Sequence, residues 1–257
     1  MAPTITAVGN RKGGVGKSSM TGAIAWSLAM RGYQVLTLDM DPQGNLSRWL
    51  LDEVPDRTMF DVLYADQPGI LGEAAVPSLF PGVWIVPAEE SLGRIEVEAL
   101  VAPEMRLKTA AHGSESFEGF DAVLIDMPPA LGRLTLNGLI AADKVIAVTS
   151  PEAFAVQGLV AFLETVEHVR GRPHLNPDLQ LEGVLVNQFD GTGEHTYQLD
   201  QIREAYGDKL LSPIVPKRTA MRDAVSAQVP LTKVGTRGAA VLQEALTELV
   251  SNVWKVN

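Results

Sequence analysis

Cysteine is absent from the 257-residue chain. Disulfides, thiolate zinc sites and cysteine-ligated iron–sulfur clusters are therefore excluded. Long apolar runs are absent too: nothing approaches the ~20 residues of a membrane-spanning helix. The first residues lack the charged start and apolar core of a secretory signal, so a cytoplasmic protein is expected. A strand is expected almost at once, so no DNA-binding module is expected ahead of it. Cations are outnumbered, 21 Lys and Arg against 31 Asp and Glu, and the net charge of −10 argues against a general affinity for nucleic acid. That charge is uneven. Residues 50–100 hold ten acids and only Arg57 and Arg94, whereas residues 217–237 hold five basic residues and one acid, Asp223. Local fields, more than the total, govern an encounter.

What is present begins with Arg11-Lys12-Gly13-Gly14-Val15-Gly16-Lys17-Ser18-Ser19. It lies between an apolar run, Thr4 to Val8, that reads as a buried strand and a segment, Met20 to Met30, that reads as a helix stopped near Gly32. Strand, glycine-rich loop and helix in that order form a phosphate-binding loop. Its glycines let successive N–H groups face phosphate oxygens. Lys17 can reach the β- and γ-phosphates, and the Ser18 hydroxyl can ligate Mg²⁺. The pattern G-x-x-x-x-G-K-[ST] is met except at its first position, where Arg11 stands, and an additional lysine, Lys12, precedes the glycine pair.

K-G-G-V-G-K-S resembles the deviant Walker A motif of the ParA/MinD superfamily. The resemblance covers roughly residues 4–50 and 120–240. It implies ATP and Mg²⁺ as cofactors and phosphate contacts from Lys12, Gly13, Gly14, Val15, Gly16, Lys17, Ser18 and Ser19. It also implies an ATP-sandwiched homodimer in which Lys12 touches the partner's nucleotide. Relatives with iron–sulfur clusters are ruled out by the missing cysteines.

A second apolar run, Gln34 to Leu38, ends at Asp39-Met40-Asp41-Pro42-Gln43-Gly44-Asn45. Ligands in open α/β sheets bind beyond the carboxyl ends of strands, where these carboxylates fall. D-x-D-P-Q-G-N resembles the second signature of ParA-type partition ATPases. By that resemblance Asp41 positions the attacking water and Asp39 supports the Mg²⁺ shell. Phe120 to Ile125 is a strand ending at Asp126-Met127-Pro128-Pro129, the Walker B arrangement, whose carboxylate can hold a Mg²⁺-bound water.

Further strands are expected at Val83–Val86, Lys144–Thr149, Leu181–Val186 and Leu210–Val215. Helices are expected at Thr58–Tyr64 (capped by Thr58), Glu89–Leu107 (interrupted near Pro103), Leu134–Ala142, Ala153–Val169, Glu194–Tyr206 and Gly238–Lys255. Alternation of apolar strands with helices indicates one α/β unit over residues 1–257, P-loop NTPase-like: a mostly parallel twisted sheet with helices on both faces. Asn187, at a strand tip, suits either an adenine contact, which the resemblance implies, or a loop cap. The resemblance also places Pro216 near the base.

The resemblance implies a cargo-partitioning ATPase of low intrinsic turnover. It would bind double-stranded DNA without sequence preference, associate with the nucleoid in its ATP state and be stimulated by a ParB-type centromere-binding or adaptor protein. Lys217, Arg218 and Arg222 are the candidate DNA contacts, with Lys233 and Arg237 behind them; an incidental solvated charge cluster is the alternative. V-P-K-R-T-A-M stands here in place of the commonest chromosomal pattern I-P-R-N-V-R-L, so single arginines do not carry over from the family. The acidic stretch is either a solvated face or a partner-binding one. A MinD-like membrane cycle would need a basic amphipathic helix at the C-terminal end, whereas Glu244 and Glu248 occupy the polar face there. No membrane partner is expected. A ligase resembling dethiobiotin synthetase would lack Lys12, and a bacterial tyrosine kinase would carry a terminal tyrosine cluster; the last tyrosine is Tyr206.

Overall fold

Apolar strands covered on both faces account for the architecture. The computed structural model describes residues 3–112, 117 and 119–255. Its strands are β1 (Thr4–Gly9), β2 (Val35–Asp39), β3 (Val76–Pro77), β4 (Val83–Val86), β5 (Ala122–Asp126), β6 (Lys144–Thr149) and β7 (Gln180–Val186). They form one sheet in the order β3-β4-β2-β5-β1-β6-β7. Every pairing is parallel except the short edge pair β3–β4. The helices are α1 (Lys17–Ala29), α2 (Asn45–Leu50), α3 (Met59–Ala65), α4 (Arg106–Ala111), α5 (Arg133–Ala141), α6 (Ala153–Arg170), α7 (Gly193–Tyr206), α8 (Ala220–Ser226), α9 (Leu231–Val234) and α10 (Arg237–Trp254).

Successive residues of each central strand enter opposite cores, which is why no polar alternation is visible in them. On one face Ala7, Leu36, Leu38, Val123 and Ile125 meet Met59, Leu107, Leu134, Leu159 and Leu199 of α3 to α7. On the other, Val8, Val35, Ala122 and Leu124 meet Ile24, Trp49 and Leu246 of α1, α2 and α10. The apolar stripe of α10 (Leu242, Leu246, Leu249, Val250) is buried in this second core. Register places Asp39 beside Asp126 and Val8 beside Asp126, so β1, β2 and β5 end at one sheet edge. The expected cap of α3 is present as a capping box, with Thr58 N–H donating to Asp61 Oδ2 at 2.8 Å.

Two expected elements differ. Leu210–Val215 is not a strand: it makes only the bridges Val184–Leu210 and, just beyond, Phe189–Pro216. Leu211 and Val215 N–H groups do donate to Val184 and Val186 carbonyls, but Pro213 has no N–H to extend the ladder. Glu89–Leu107 is not one interrupted helix. Glu90–Glu96 is a 3₁₀ turn, followed by irregular chain up to α4. Tertiary bonds win over helix here. Glu96 turns away to accept the N–H groups of Arg133 and Leu134, placing an anion at the start of α5. Arg106 binds the Val101 carbonyl through Nε and Nη2. In the surrounding acidic stretch Glu73 pairs with Arg57, Glu98 with Arg94 and Asp66 with Arg106. Much of that charge is thus spent inside the chain.

Candidate functional site

The loop between β1 and α1 is held open from both sides. Asn10, 1% exposed, donates through Nδ2 to the Val148 carbonyl at 2.7 Å and accepts Lys12 N–H at 2.9 Å. From the tip of β7, Asn187 Nδ2 donates to Val15 O at 2.8 Å and Gln188 Nε2 to Gly14 O at 3.0 Å. Gly16 has φ +90°, and a Cβ there would lie 2.4 Å from Asn187 Nδ2. Only glycine satisfies both the left-handed backbone and that close approach.

Lys17 opens α1, is buried, and donates Nζ to the Lys12 carbonyl at 3.2 Å. Burial lowers its pKa, opposed by the carboxylates of Asp126 and Asp41. Asp39 is fully buried. Its Oδ1 accepts Asp41 N–H at 3.1 Å, and its Oδ2 accepts both Ser47 N–H at 2.9 Å and Ser47 Oγ–H at 2.7 Å. Burial raises its pKa to about 6 despite those hydrogen bonds. Asp126 is raised well above the usual carboxylate range, first by burial and then by the charge of Asp39, with the Ser18 hydroxyl and Lys17 ammonium opposing. Thr21 Oγ1 lies 3.4 Å from Asp126 Oδ1, while Asp126 Oδ2 is buried with no hydrogen-bond partner among the described residues. Asp41 closes the turn by accepting Gln43 N–H at 3.0 Å on Oδ1.

Two adjoining chambers open on this edge. One, about 580 Å³, is lined by Gly13, Gly14, Lys17, Ser18, Asp41 and Arg48, among others. The other, about 510 Å³, is lined by Asn187, Pro216, Lys217, Arg218, Met221 and Leu242, among others. Both are of ligand-binding size. Phosphate groups suit the first, with its glycine loop and lysine, and a base suits the second, with its amide and apolar walls.

Known proteins are similar to this chain over most of its length. A family model described as "AAA domain" matches residues 3–181. The chromosome partitioning protein ParA of Caulobacter vibrioides is 34% identical over 232 residues, covering 88% of this chain and 85% of the relative. The sporulation initiation inhibitor protein Soj of Bacillus subtilis is 33% identical over 257 residues, covering 96% and 98%. The chain belongs to the ParA/Soj family of partition ATPases. A crystal structure described as cobyrinic acid a,c-diamide synthase from Mycobacterium smegmatis, with bound ADP and magnesium, is 32% identical with a TM-score of 0.78; it covers 98% of this chain and 96% of that one.

The residues of this ParA/Soj-family site fit ATP and Mg²⁺. Asp126 Oδ2, without a hydrogen-bond partner among the described residues, is a buried carboxyl oxygen of the kind a hydrated cation relieves. Among the described residues no group of three or more His, Cys, Asp or Glu is placed for a metal. Mg²⁺ keeps much of its water and takes phosphate oxygens beside few protein ligands, and the Ser18 hydroxyl lines the phosphate chamber.

The sequence-derived residues are mostly brought together. Gly13, Gly14, Gly16, Lys17, Ser18, Ser19 and Asp41 surround the phosphate chamber, whereas Val15 is buried in the core beneath the loop; Asp39 and Asp126 are buried at the strand tips. Asn187 and Pro216 line the base chamber, joined by Lys217, Arg218 and Arg222. Lys233 and Arg237 lie apart from both, and Lys12 is exposed and lines neither. Sequence reasoning missed Asn10, Thr21, Ser47 and Gln188. Asn10 and Gln188 carried a usable signal, a polar side chain at a strand tip; Thr21 and Ser47 sit inside helical runs and carried none.

Proposed function

We propose that this protein hydrolyses ATP slowly as a Mg²⁺-dependent homodimer that binds DNA non-specifically and moves a plasmid, chromosomal or protein cargo. The observation that carries the reading is the unequal fate of two loop lysines. Lys17 is buried at its own chamber, whereas Lys12 is exposed and outside both. A cation with no use in its own site is available to a second copy, where it would neutralise phosphate charge. Lys17 and the loop N–H groups bind the phosphates. Ser18 holds Mg²⁺, with Asp126 and Asp39 acting through its water shell; the ion supplies charge neutralisation at the transferring phosphoryl group. Asp41 orients the nucleophilic water. Asn187 and Pro216 flank the adenine. Residues 1–257 act as one ATPase domain.

Lys217 and Arg218 are exposed at the outer rim of the base chamber, beside Arg222. Lys217 and Arg218 form the DNA surface, so occupancy of the chamber and shape of that surface are linked. A ParB-type or adaptor protein stimulates turnover, and the ATP form resides on the nucleoid of the cytoplasm.

The test is binding to random-sequence duplex DNA with ATP and with ADP across a salt series. Binding is expected with ATP only, with a slope of log affinity against log salt of about −3.6 for two cations on each copy of a dimer. Lys12→Ala should abolish it without abolishing ATP binding. Equal, negligible binding in both nucleotide states would overturn the DNA half of the proposal.

A further inference from the structure

The two chambers share four lining residues: Gly16, Ser19, Gln188 and Arg222. These define the waist through which any molecule occupying both must pass. For a nucleotide with its base beside Asn187 and its terminal phosphates on Gly13 to Ser18, the part at the waist is the ribose and the α-phosphate. Gly16 and Ser19 belong to the loop and α1, and Gln188 is committed to the Gly14 carbonyl. Arg222 is the one charged group of the four. It is exposed, and its guanidinium makes no hydrogen bond or ion pair among the described residues.

The helix that carries Arg222 is anchored. Ala220 and Ala224 of α8 are buried. Immediately beyond α8, Gln228 Nε2 donates to the carbonyls of Arg48 and Leu51 at 2.8 Å, and Val229 O accepts Trp49 Nε1–H at 3.1 Å. Arg222 therefore projects from a fixed element that is strapped to α2. From such an anchored backbone position an arginine side chain can meet a phosphate in a strong, directional contact.

We infer that Arg222 is a nucleotide-contact residue that grips the α-phosphate end of the bound nucleotide, and that its main duty is not to DNA. This rests on the proposed nucleotide site. It separates Arg222 from Lys217 and Arg218, which line the base chamber alone.

The experiment is calorimetric or fluorescent titration of the full chain with Mg·ATP, Mg·ADP and adenosine, for wild type, Arg222→Ala and Arg222→Lys. Arg203→Ala, on the exposed side of α7, controls for loss of one surface cation. Arg222→Ala should weaken ATP and ADP alike by about tenfold or more, as expected for loss of a charge-assisted contact. Adenosine competition should be unchanged, Arg222→Lys should recover part of the affinity, and at saturating ATP the DNA affinity of Arg222→Ala should stay within about twofold of wild type. Unchanged ATP and ADP affinity in Arg222→Ala overturns the inference. So does an equal loss for adenosine, which would mean that Arg222 merely shapes the base chamber. Failure of the wild-type protein to bind ATP at all would instead overturn the nucleotide site itself.

Discussion

Ser47→Ala perturbs the clip that shapes the Asp41 turn. The Ser47 hydroxyl donates to Asp39 Oδ2 and accepts the N–H of Ala88 at 2.9 Å, and both neighbours are buried. Removing it deletes a hydrogen bond to an ionised acceptor and strands a buried amide. The first effect is worth about 1.5 kcal/mol and the second about 1–2 kcal/mol. Alanine returns about 0.5 kcal/mol through its better helix propensity. The expected net loss is about 2–3 kcal/mol, a large fraction of the stability of an ordinary domain. In a chain of this size that lowers Tm by roughly 5–10 °C. Urea unfolding of the nucleotide-free protein at pH 8 measures it directly. A cycle with Asp39→Asn should show a coupling above about 1 kcal/mol, since the two groups touch. ATP turnover gives a second readout: Asp41 N–H hangs on Asp39 Oδ1, so a displaced Asp39 moves the proposed water-orienting group. A loss below about 1 kcal/mol, or a coupling near zero, would refute the clip as the organiser of the turn.

Other perturbations probe neighbouring parts. Lys17→Ala should lose nucleotide binding, whereas Asp41→Ala should retain ATP and stall without turnover; an Asp41→Ala protein that hydrolyses ATP at the wild-type rate would remove that role. Gly22→Ala would place a Cβ 2.5 Å from the Trp49 ring, so overpacking of about 1–3 kcal/mol should outweigh the roughly 1 kcal/mol gained in helix propensity, measurable as a lower urea midpoint. Asp39 gives a pH signature in the Mg²⁺- and nucleotide-free protein. Below pH 4 it is neutral in folded and unfolded chains alike. Between pH 4 and its folded pKa of about 6 only the unfolded chain ionises, so rising pH favours unfolding by up to about 3 kcal/mol, constant thereafter. Asp126 acts in the same direction. Wild type should therefore lose stability relative to Asp39→Asn between pH 4.5 and 7.5; a flat difference would count against the raised pKa.

The phosphate loop was legible because its chemistry is written in consecutive residues. Lys17, Ser18 and the glycines need a strand before them and a helix after, and both could be read from apolar runs. Asp126 and Asp39 were legible as carboxylates at the ends of such runs. What Asp39 touches was not, because Ser47 lies eight residues on, in a segment whose folding depends on that same contact. The Leu210–Val215 run reads as a strand by composition alone, yet its place outside β7 and the missing donor at Pro213 leave only bridges. Glu89–Leu107 reads as helix by local propensity, yet Glu96 and Arg106 are drawn to α5 and to the Val101 carbonyl. Local signals fail there because distant backbone groups compete for the same side chains. The position of Arg222 at the waist between chambers was likewise invisible, since α8 is placed by straps to α2 rather than by its own sequence.

Those straps have an optical consequence. Trp49 lines the phosphate chamber, packs edge-on against Phe80 at 5.5 Å and donates its indole N–H to Val229 O. Its emission depends on that hydrogen bond and on the water admitted by the chamber. The other tryptophans, at 26, 84 and 254, do not line either chamber. The chain thus carries a fluorophore at the seam between the Asp41 turn and the cationic segment, and with Trp26, Trp84 and Trp254 replaced by phenylalanine the emission of Trp49 would follow that seam.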